Sequence, residues 1–376
     1  MIIGILSEPS FEARVSLLPE HIPVLKKQNV QVLLESEAGV KAFAADQLYQ
    51  QEGAEISSRE TLLKTSDILL GIHALTSNDL QMVKTGSVLL GVYNPLSRVP
   101  ILEQWAEKGI TTFSMDMLPR TTRAQNMDVL SSQANIAGYK AVLLAAVQLP
   151  KYFPMFMTAA GSIAPAKVMI LGAGVAGLQA IATAKRLGAV VEVFDTRAAV
   201  KEEVMSLGAK FIEVEGASDA SNAGGYAVEQ TQDYKLKQQQ RIAEVAAKAD
   251  VIITTAQIPG KIAPVLLTDA MLDSMKTGSL IIDLASASGG NTSQTKDQET
   301  VLYKNVTIIG NSNLQATMPA DASKLYGKNV LNFLQLIVGP EGQLNLNFED
   351  DLVKGACITH NGKICNERVS SIASDL

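Results

Sequence analysis

Three glycines and one carboxylate carry the clearest chemistry in this chain. The apolar run 168–171 leads at once into Gly172-Ala173-Gly174-Val175-Ala176-Gly177, and a second apolar run, Val190–Phe194, ends on Asp195. Each residue type answers a need of dinucleotide binding. Gly172 permits a tight turn, Gly174 lets backbone approach a pyrophosphate, and Gly177 lets the following helix pack close to the strand. Val175 and Ala176 open that helix, where free N–H groups and the positive end of the dipole face the phosphates. Asp195, at about the expected distance of 20 residues, accepts hydrogen bonds from a ribose diol, which suits NAD(H).

A second group follows a strand end. Residues 117–135 include Arg120, Arg123, Gln125, Asp128 and Ser131, dense in hydrogen-bonding side chains. A loop at the C-terminal edge of a parallel sheet is where such sites form. Arg120 or Arg123 could pair with Asp128 as a rigid polar platform, while Gln125 and Ser131 offer neutral donors and acceptors suited to a carboxamide. The alternative is a solvated loop ending in a Ser-capped helix.

These residues need a frame, and the apolar patterning supplies it. Strands are expected over 2–6, 30–34, 68–71, 88–92 and 111–115, with helical patterns over 19–27 and 96–108, the latter burying Trp105. A second series covers 168–171, 190–194, 210–214, 251–254, 280–283 and 306–309. Strand–helix alternation means a parallel sheet with crossover helices. The expected fold is α/β, with two Rossmann-like doubly wound parallel-sheet domains joined by helices and a cleft between them. Residues 1–131 and 320–376 form a discontinuous first domain, with the C-terminal strands completing it, and 132–319 form the NAD(H)-binding domain. The joining helices span 132–148 and 321–336. A long polar stretch, 213–237, contains Gly225-Tyr226 and reads as a lid hinged on glycine.

Composition narrows the function. The 376 residues are 47% apolar and 19% charged, with a net charge of −6 that argues against a nucleic-acid partner. No run of 18 apolar residues spans a bilayer, and the N-terminus lacks a basic signal region. No Cys/His cluster has metal-ligand spacing, so no metal is expected. Cys357 and Cys365 flank the hairpin signal Asn361-Gly362. Counting outward, Cys365 faces Ile358, which points the two cysteines to opposite faces, so no disulfide is expected between them and both read as inert.

The run 119–139, with 157–161, 172–189, Asp195-Thr196-Arg197, 223–227, 258–261 and 320–323, resembles the NAD(H)-binding component of proton-translocating nicotinamide nucleotide transhydrogenase. The resemblance covers nearly the whole chain. The wider superfamily includes alanine dehydrogenase and saccharopine dehydrogenase. The resemblance implies that Arg120, Gln125, Asp128 and Ser131 hold the nicotinamide end, with Gln125 reaching towards NADP(H) on a partner component. It implies Asp195 on the adenosine ribose, Arg197 near adenine, Tyr226 on a closing loop with Gly225, and Tyr139 in support. It further implies a homodimer, NADP(H)-binding and membrane-spanning partners, and a place at the cytoplasmic face of the membrane.

Departures from that pattern lie at 7–15, which lacks basic residues after Glu8, and at 315–319. Around 71–74 and 92–95 the Lys and the His that alanine dehydrogenases use on pyruvate are not matched. An alcohol or amine dehydrogenase needs a proton-transfer group, and His21, His73 and His360 all lie outside both motifs. Hydride transfer between two nicotinamides needs only positioning. Two other readings remain open, an amino-acid dehydrogenase and a non-catalytic NAD(H)-binding regulator.

Overall fold

The computed structural model describes residues 1–214, 216, 231–258 and 260–374. It divides into two compact units, Met1–Gln133 with Ala316–Leu376, and Ala134–Gln315.

In the first unit the sheet runs Glu55–Ser57, Gln31–Glu35, Ile2–Ile5, Ile68–Leu70, Val88–Gly91, Thr111–Ser114, all parallel. Cys357–His360 then adds antiparallel to Thr111–Ser114, and Lys363–Ile364 follows it as a hairpin. The strands are apolar almost throughout because both faces are covered. Period-two alternation sorts them: Val32, Leu34, Ile68 and Leu70 enter one core, Leu33 and Leu69 the other. Trp105, on the helix Val99–Glu107, is fully buried in the second of these cores.

The second unit repeats the scheme. Its order is Lys210–Phe211, Val190–Phe194, Lys167–Leu171, Val251–Thr254, Leu280–Asp283, Val306–Gly310, with antiparallel Glu299–Tyr303 on the edge. Numbered from the glycine-motif strand, the parallel strands stand 3-2-1-4-5-6, the doubly wound dinucleotide-binding order. Val168 and Ile170 feed one core while Met169 and Leu171 feed the other. Each such buried side chain contributes on the order of 1.5–3 kcal/mol.

Several elements differ from the patterning. Glu55–Ser57, Glu299–Tyr303 and the hairpin Phe156–Thr158 with Gly161–Ile163 carry little or no fully buried surface, so no apolar run marks them. The joining helix starts at Val129, three residues early, and the later one spans Pro319–Ile337. The polar stretch 213–237 is not all loop. Thr231 caps the helix Gln232–Ala246 by accepting the Tyr234 N–H at 3.3 Å. Gly225 and Tyr226 lie outside the described residues. The two cysteines do not face apart, since their sulfurs are in contact at 3.4 Å. Among the described residues no helix is long and apolar enough to cross a membrane.

Candidate dinucleotide site

In the second unit the strand Lys167–Leu171 ends at Gly172, whose φ of +103° only glycine adopts without strain. The helix Val175–Arg186 starts three residues later with Gly174 as its N-cap and no side chain capping it. Its first-turn N–H groups therefore keep their capacity for an anion. A methyl on Gly177 would stand 1.9 Å from the Gly172 carbonyl oxygen, so glycine is what brings the helix onto the turn. On the helix's other side Gly138 does the same, since a methyl there would stand 2.1 Å from the Ala176 carbonyl oxygen. The first turn is thus held between two glycine contacts, and only one of them belongs to the glycine fingerprint. A methyl on Gly174, by contrast, would meet nothing within 4 Å.

Asp195 is buried at the end of Val190–Phe194. One oxygen accepts the Arg197 N–H at 2.8 Å and Arg197 Nε at 2.9 Å. The other accepts the Ala173 N–H at 2.7 Å and Arg197 Nη2 at 2.6 Å. Ala173 sits inside the glycine motif, so the carboxylate is tied to the turn it was expected to serve. Four donors fill its lone pairs. A ribose diol would gain Asp195 only as the Arg197 guanidinium turns aside. That carboxylate holds the Arg197 pKa above the usual guanidinium value. Thr196 is half-buried beside it, Val175 is exposed and Ala176 half-buried at the helix start, and Tyr139 is half-buried on Val129–Gln148.

Asp283, also buried, is a structural anchor. It accepts the Ala285 N–H at 2.9 Å, the Asn291 N–H at 2.6 Å and Thr295 Oγ1 at 2.7 Å. Asn291 in turn holds Ala256 and Pro264 beside the glycine turn. Sequence reasoning missed Asn291 and gave Gly138, within the run 119–139, no role of its own, because neither lies in a spaced motif.

In the first unit Thr111–Ser114 runs into a short 3₁₀ turn, then into the 3₁₀ helix Thr122–Met127. Asn329 and Asn332, on Pro319–Ile337, both donate to the Asn126 carbonyl at 2.8 Å and fix this segment. Asp128 caps the helix Val129–Gln148, accepting the Ser131 N–H at 2.9 Å and Ser131 Oγ at 2.6 Å. The cap is Asp128, not a serine. Of the two arginines, Arg123 binds Asp350 and Asp351 and not Asp128. Arg120 and Gln125 are exposed on the same segment.

Behind the segment stands a buried ionic group that the motifs did not signal. Glu12 takes Arg14 through both oxygens, at 2.9 and 2.6 Å, and accepts or shares a proton with His73 Nε2 at 2.9 Å. Arg14 Nη1 donates to Gln133 Oε1 at 2.8 Å, two residues past Ser131. Glu8 accepts the Ile72 and His73 N–H groups. Burial pushes the Glu8 carboxyl up to about 7, against the downward pull of those bonds. Glu12 is buried as well, yet the Arg14 and His73 hydrogen bonds hold it well below the usual carboxylate range. His21 accepts the Leu18 N–H and His360 bonds Thr111, so each histidine has a structural partner.

Two family models match almost end to end, "Alanine dehydrogenase/PNT, N-terminal domain" over residues 4–137 and "Alanine dehydrogenase/PNT, C-terminal domain" over 141–367. The chain is 42% identical to the first part of NAD(P) transhydrogenase subunit alpha of Rickettsia prowazekii, covering 97% of this chain and 96% of the relative. It superposes on the crystal structure of transhydrogenase from Sinorhizobium meliloti with a TM-score of 0.86 at 39% identity, over 98% and 99% of the two chains. Alanine dehydrogenase of Bacillus subtilis is more distant, at 24% identity over 98% of this chain and 94% of that one. The full-length match, the doubly wound order of both sheets and the glycine turn beside Asp195 agree, and the chain belongs to the alanine dehydrogenase/PNT family.

Proposed function

We propose that this chain is the NAD(H)-binding component of a proton-translocating transhydrogenase, passing hydride between NAD(H) on its own residues and NADP(H) on a partner component. The observation that carries the reading is the 42% identity, over nearly the full length of both chains, with a protein named as the first part of NAD(P) transhydrogenase subunit alpha. The glycine turn and its uncapped helix support the nucleotide half of it.

Gly172, Gly174 and Gly177 shape the turn, and the N–H groups at Val175 and Ala176 hold the pyrophosphate. Asp195 takes the adenosine ribose once Arg197 has turned aside, with Thr196 alongside and Arg197 near the adenine. Arg120, Gln125, Asp128 and Ser131 hold the nicotinamide, with Tyr139, Gly225 and Tyr226 in support. Bound NADH supplies the hydride. No proton has to move at the reacting carbons, so these residues orient and desolvate and do not act as acid or base. Asp128 and Ser131 are suited to that, because their mutual hydrogen bonds fix both side chains at the helix start. The chain works as a homodimer, held at the cytoplasmic face of the membrane through NADP(H)-binding and membrane-spanning partners. Exposed Phe156 and Met157 on the two-stranded hairpin, with Met155 just before it, support association, since a lone two-stranded hairpin is marginal in water.

The test mixes the purified chain with a separately made NADP(H)-binding component and follows reduction of an NAD⁺ analogue by NADH in the presence of NADP(H). The expected result is a rate far above either protein alone. No such rate, with both nucleotides bound, would overturn the reading.

A further inference from the structure

Cys357 and Cys365 lie in the C-terminal hairpin of the first unit and take no part in the nucleotide chemistry. Cys357 opens the strand Cys357–His360 and is buried, while Cys365 follows Lys363–Ile364 and is exposed. Both thiols are free, and their sulfurs are in hydrogen-bond contact at 3.4 Å. The hairpin register alone would separate them. Thr359 faces Ile364, and the Cys365 N–H donates to the Ile358 carbonyl at 2.8 Å, which leaves Cys357 one step out of line.

Two irregularities bring the sulfurs together. The strand ends at Ile364, and beyond it only the Cys365 N–H continues the ladder. Against Thr111–Ser114, Cys357 opposes Phe113 while Thr359 opposes Thr112, so Ile358 is an extra residue and the strand carries a bulge. A bulge re-aims the side chains next to it. Asn366 Nδ2 also donates to the Gly355 carbonyl at 3.0 Å, tying the segment after Cys365 to the one before Cys357.

We propose that Cys357 and Cys365 form a peroxide-responsive disulfide, with exposed Cys365 as the attacking sulfur and buried Cys357 as the resolving one. The Cys365 thiolate attacks one oxygen of hydrogen peroxide, the O–O bond breaks, and the departing hydroxide takes a proton to become water. Cys365 is then a sulfenic acid. Cys357 sulfur attacks Cys365 Sγ, the S–S bond forms, the S–O bond breaks, and the leaving hydroxide combines with the Cys357 thiol proton as a second water. Two thiols lose two electrons and peroxide gains them.

The two environments fit these roles. With the Cys357 thiol donating to the Cys365 sulfur, that bond and burial push Cys357 far up, whereas the same bond lowers Cys365. The thiolate is the nucleophile, so the exposed sulfur reacts first. Closing the bridge brings the sulfurs from 3.4 Å to about 2.05 Å, a movement within reach of the exposed Cys365 side chain. The bridge would fasten the strand beside Thr111–Ser114, which feeds the Arg120–Ser131 segment.

The experiment treats the folded full chain with hydrogen peroxide and measures intact mass, thiol titre and tryptic peptides. The expected result is a loss of 2 Da, loss of both titratable thiols, and residues 355–363 linked to 364–368 within one chain, reversed by dithiothreitol. Cys365→Ser should leave Cys357 unmodified in the folded protein, and Cys357→Ala should leave Cys365 gaining one or two oxygens instead of a link. Wild-type chain that gains oxygen without linking, links only between chains, or does not react would overturn the proposal.

Discussion

Gly174→Ala separates what the glycine motif does for the fold from what it does for a ligand. At Gly174 φ is −78° and ψ −167°, extended backbone open to any residue. An added methyl meets nothing within 4 Å. The protein alone should therefore tolerate it, and a compatible Gly→Ala exchange stabilises by about 0.4–1 kcal/mol through the unfolded chain. The ligand should not. A pyrophosphate oxygen must come within about 2.7–2.9 Å of a first-turn N–H for a charge-assisted bond, and a methyl at this position holds it off. Losing one such bond costs about 1.5–3 kcal/mol, or roughly 10- to 150-fold in NADH affinity. Gly177→Ala is the contrast, because its methyl falls 1.9 Å from the Gly172 carbonyl oxygen and 2.9 Å from the carbonyl carbon. Backbone must move there, at about 1–3 kcal/mol before any ligand is added. NADH titration by nicotinamide fluorescence, with thermal melts of the free proteins, distinguishes the two. Gly174→Ala binding NADH within threefold of wild type, or melting as low as Gly177→Ala, would refute the cradle.

Four further outcomes follow from the geometry. Gln125→Asn should slow hydride transfer in the reconstituted system far more than it weakens NADH binding, and equal losses would contradict a positioning role. Arg123→Ala should leave transfer at the wild-type rate and cost no more than about 1 kcal/mol in urea unfolding, because its pairs with Asp350 and Asp351 are exposed. NADH should bind at least about tenfold tighter than NADPH, since Asp195 repels a 2′-phosphate and its carboxylate already engages the Arg197 guanidinium; equal binding would reassign Arg197 as the phosphate partner. Glu8, raised to about 7 in the folded chain, keeps its proton where the unfolded chain has released it. Its contribution to stability is present below pH 4.5 and falls as pH climbs to 7, by roughly 3 kcal/mol in all. Buried His21 and half-buried His360, both lowered, act with the opposite sign. The difference between wild type and Glu8→Gln in unfolding measurements from pH 5 to 8 isolates the effect, and parallel curves would rule it out.

The strands that carry the site were legible because parallel sheets bury both faces. Runs such as Val-Met-Ile-Leu before Gly172 and Val-Ile-Ile-Thr at Val251–Thr254 have no other stable home in water. Glu299–Tyr303 was not legible. As an edge strand it buries little and reads as a polar connection. Pairing was equally hidden at Arg123, whose partners Asp350 and Asp351 lie more than 220 residues away.

By itself the sequence determined the doubly wound fold, the glycine turn and the acid at the neighbouring strand end, because each depends on local conformation or periodicity. Tertiary structure alone decided what those groups touch. It placed Ala173 on Asp195, Gly138 against the first turn, Gln133 on Arg14 and Cys365 on Cys357. Each of those contacts is set by how elements pack or by a bulge in a ladder. Neither leaves a mark in residue spacing.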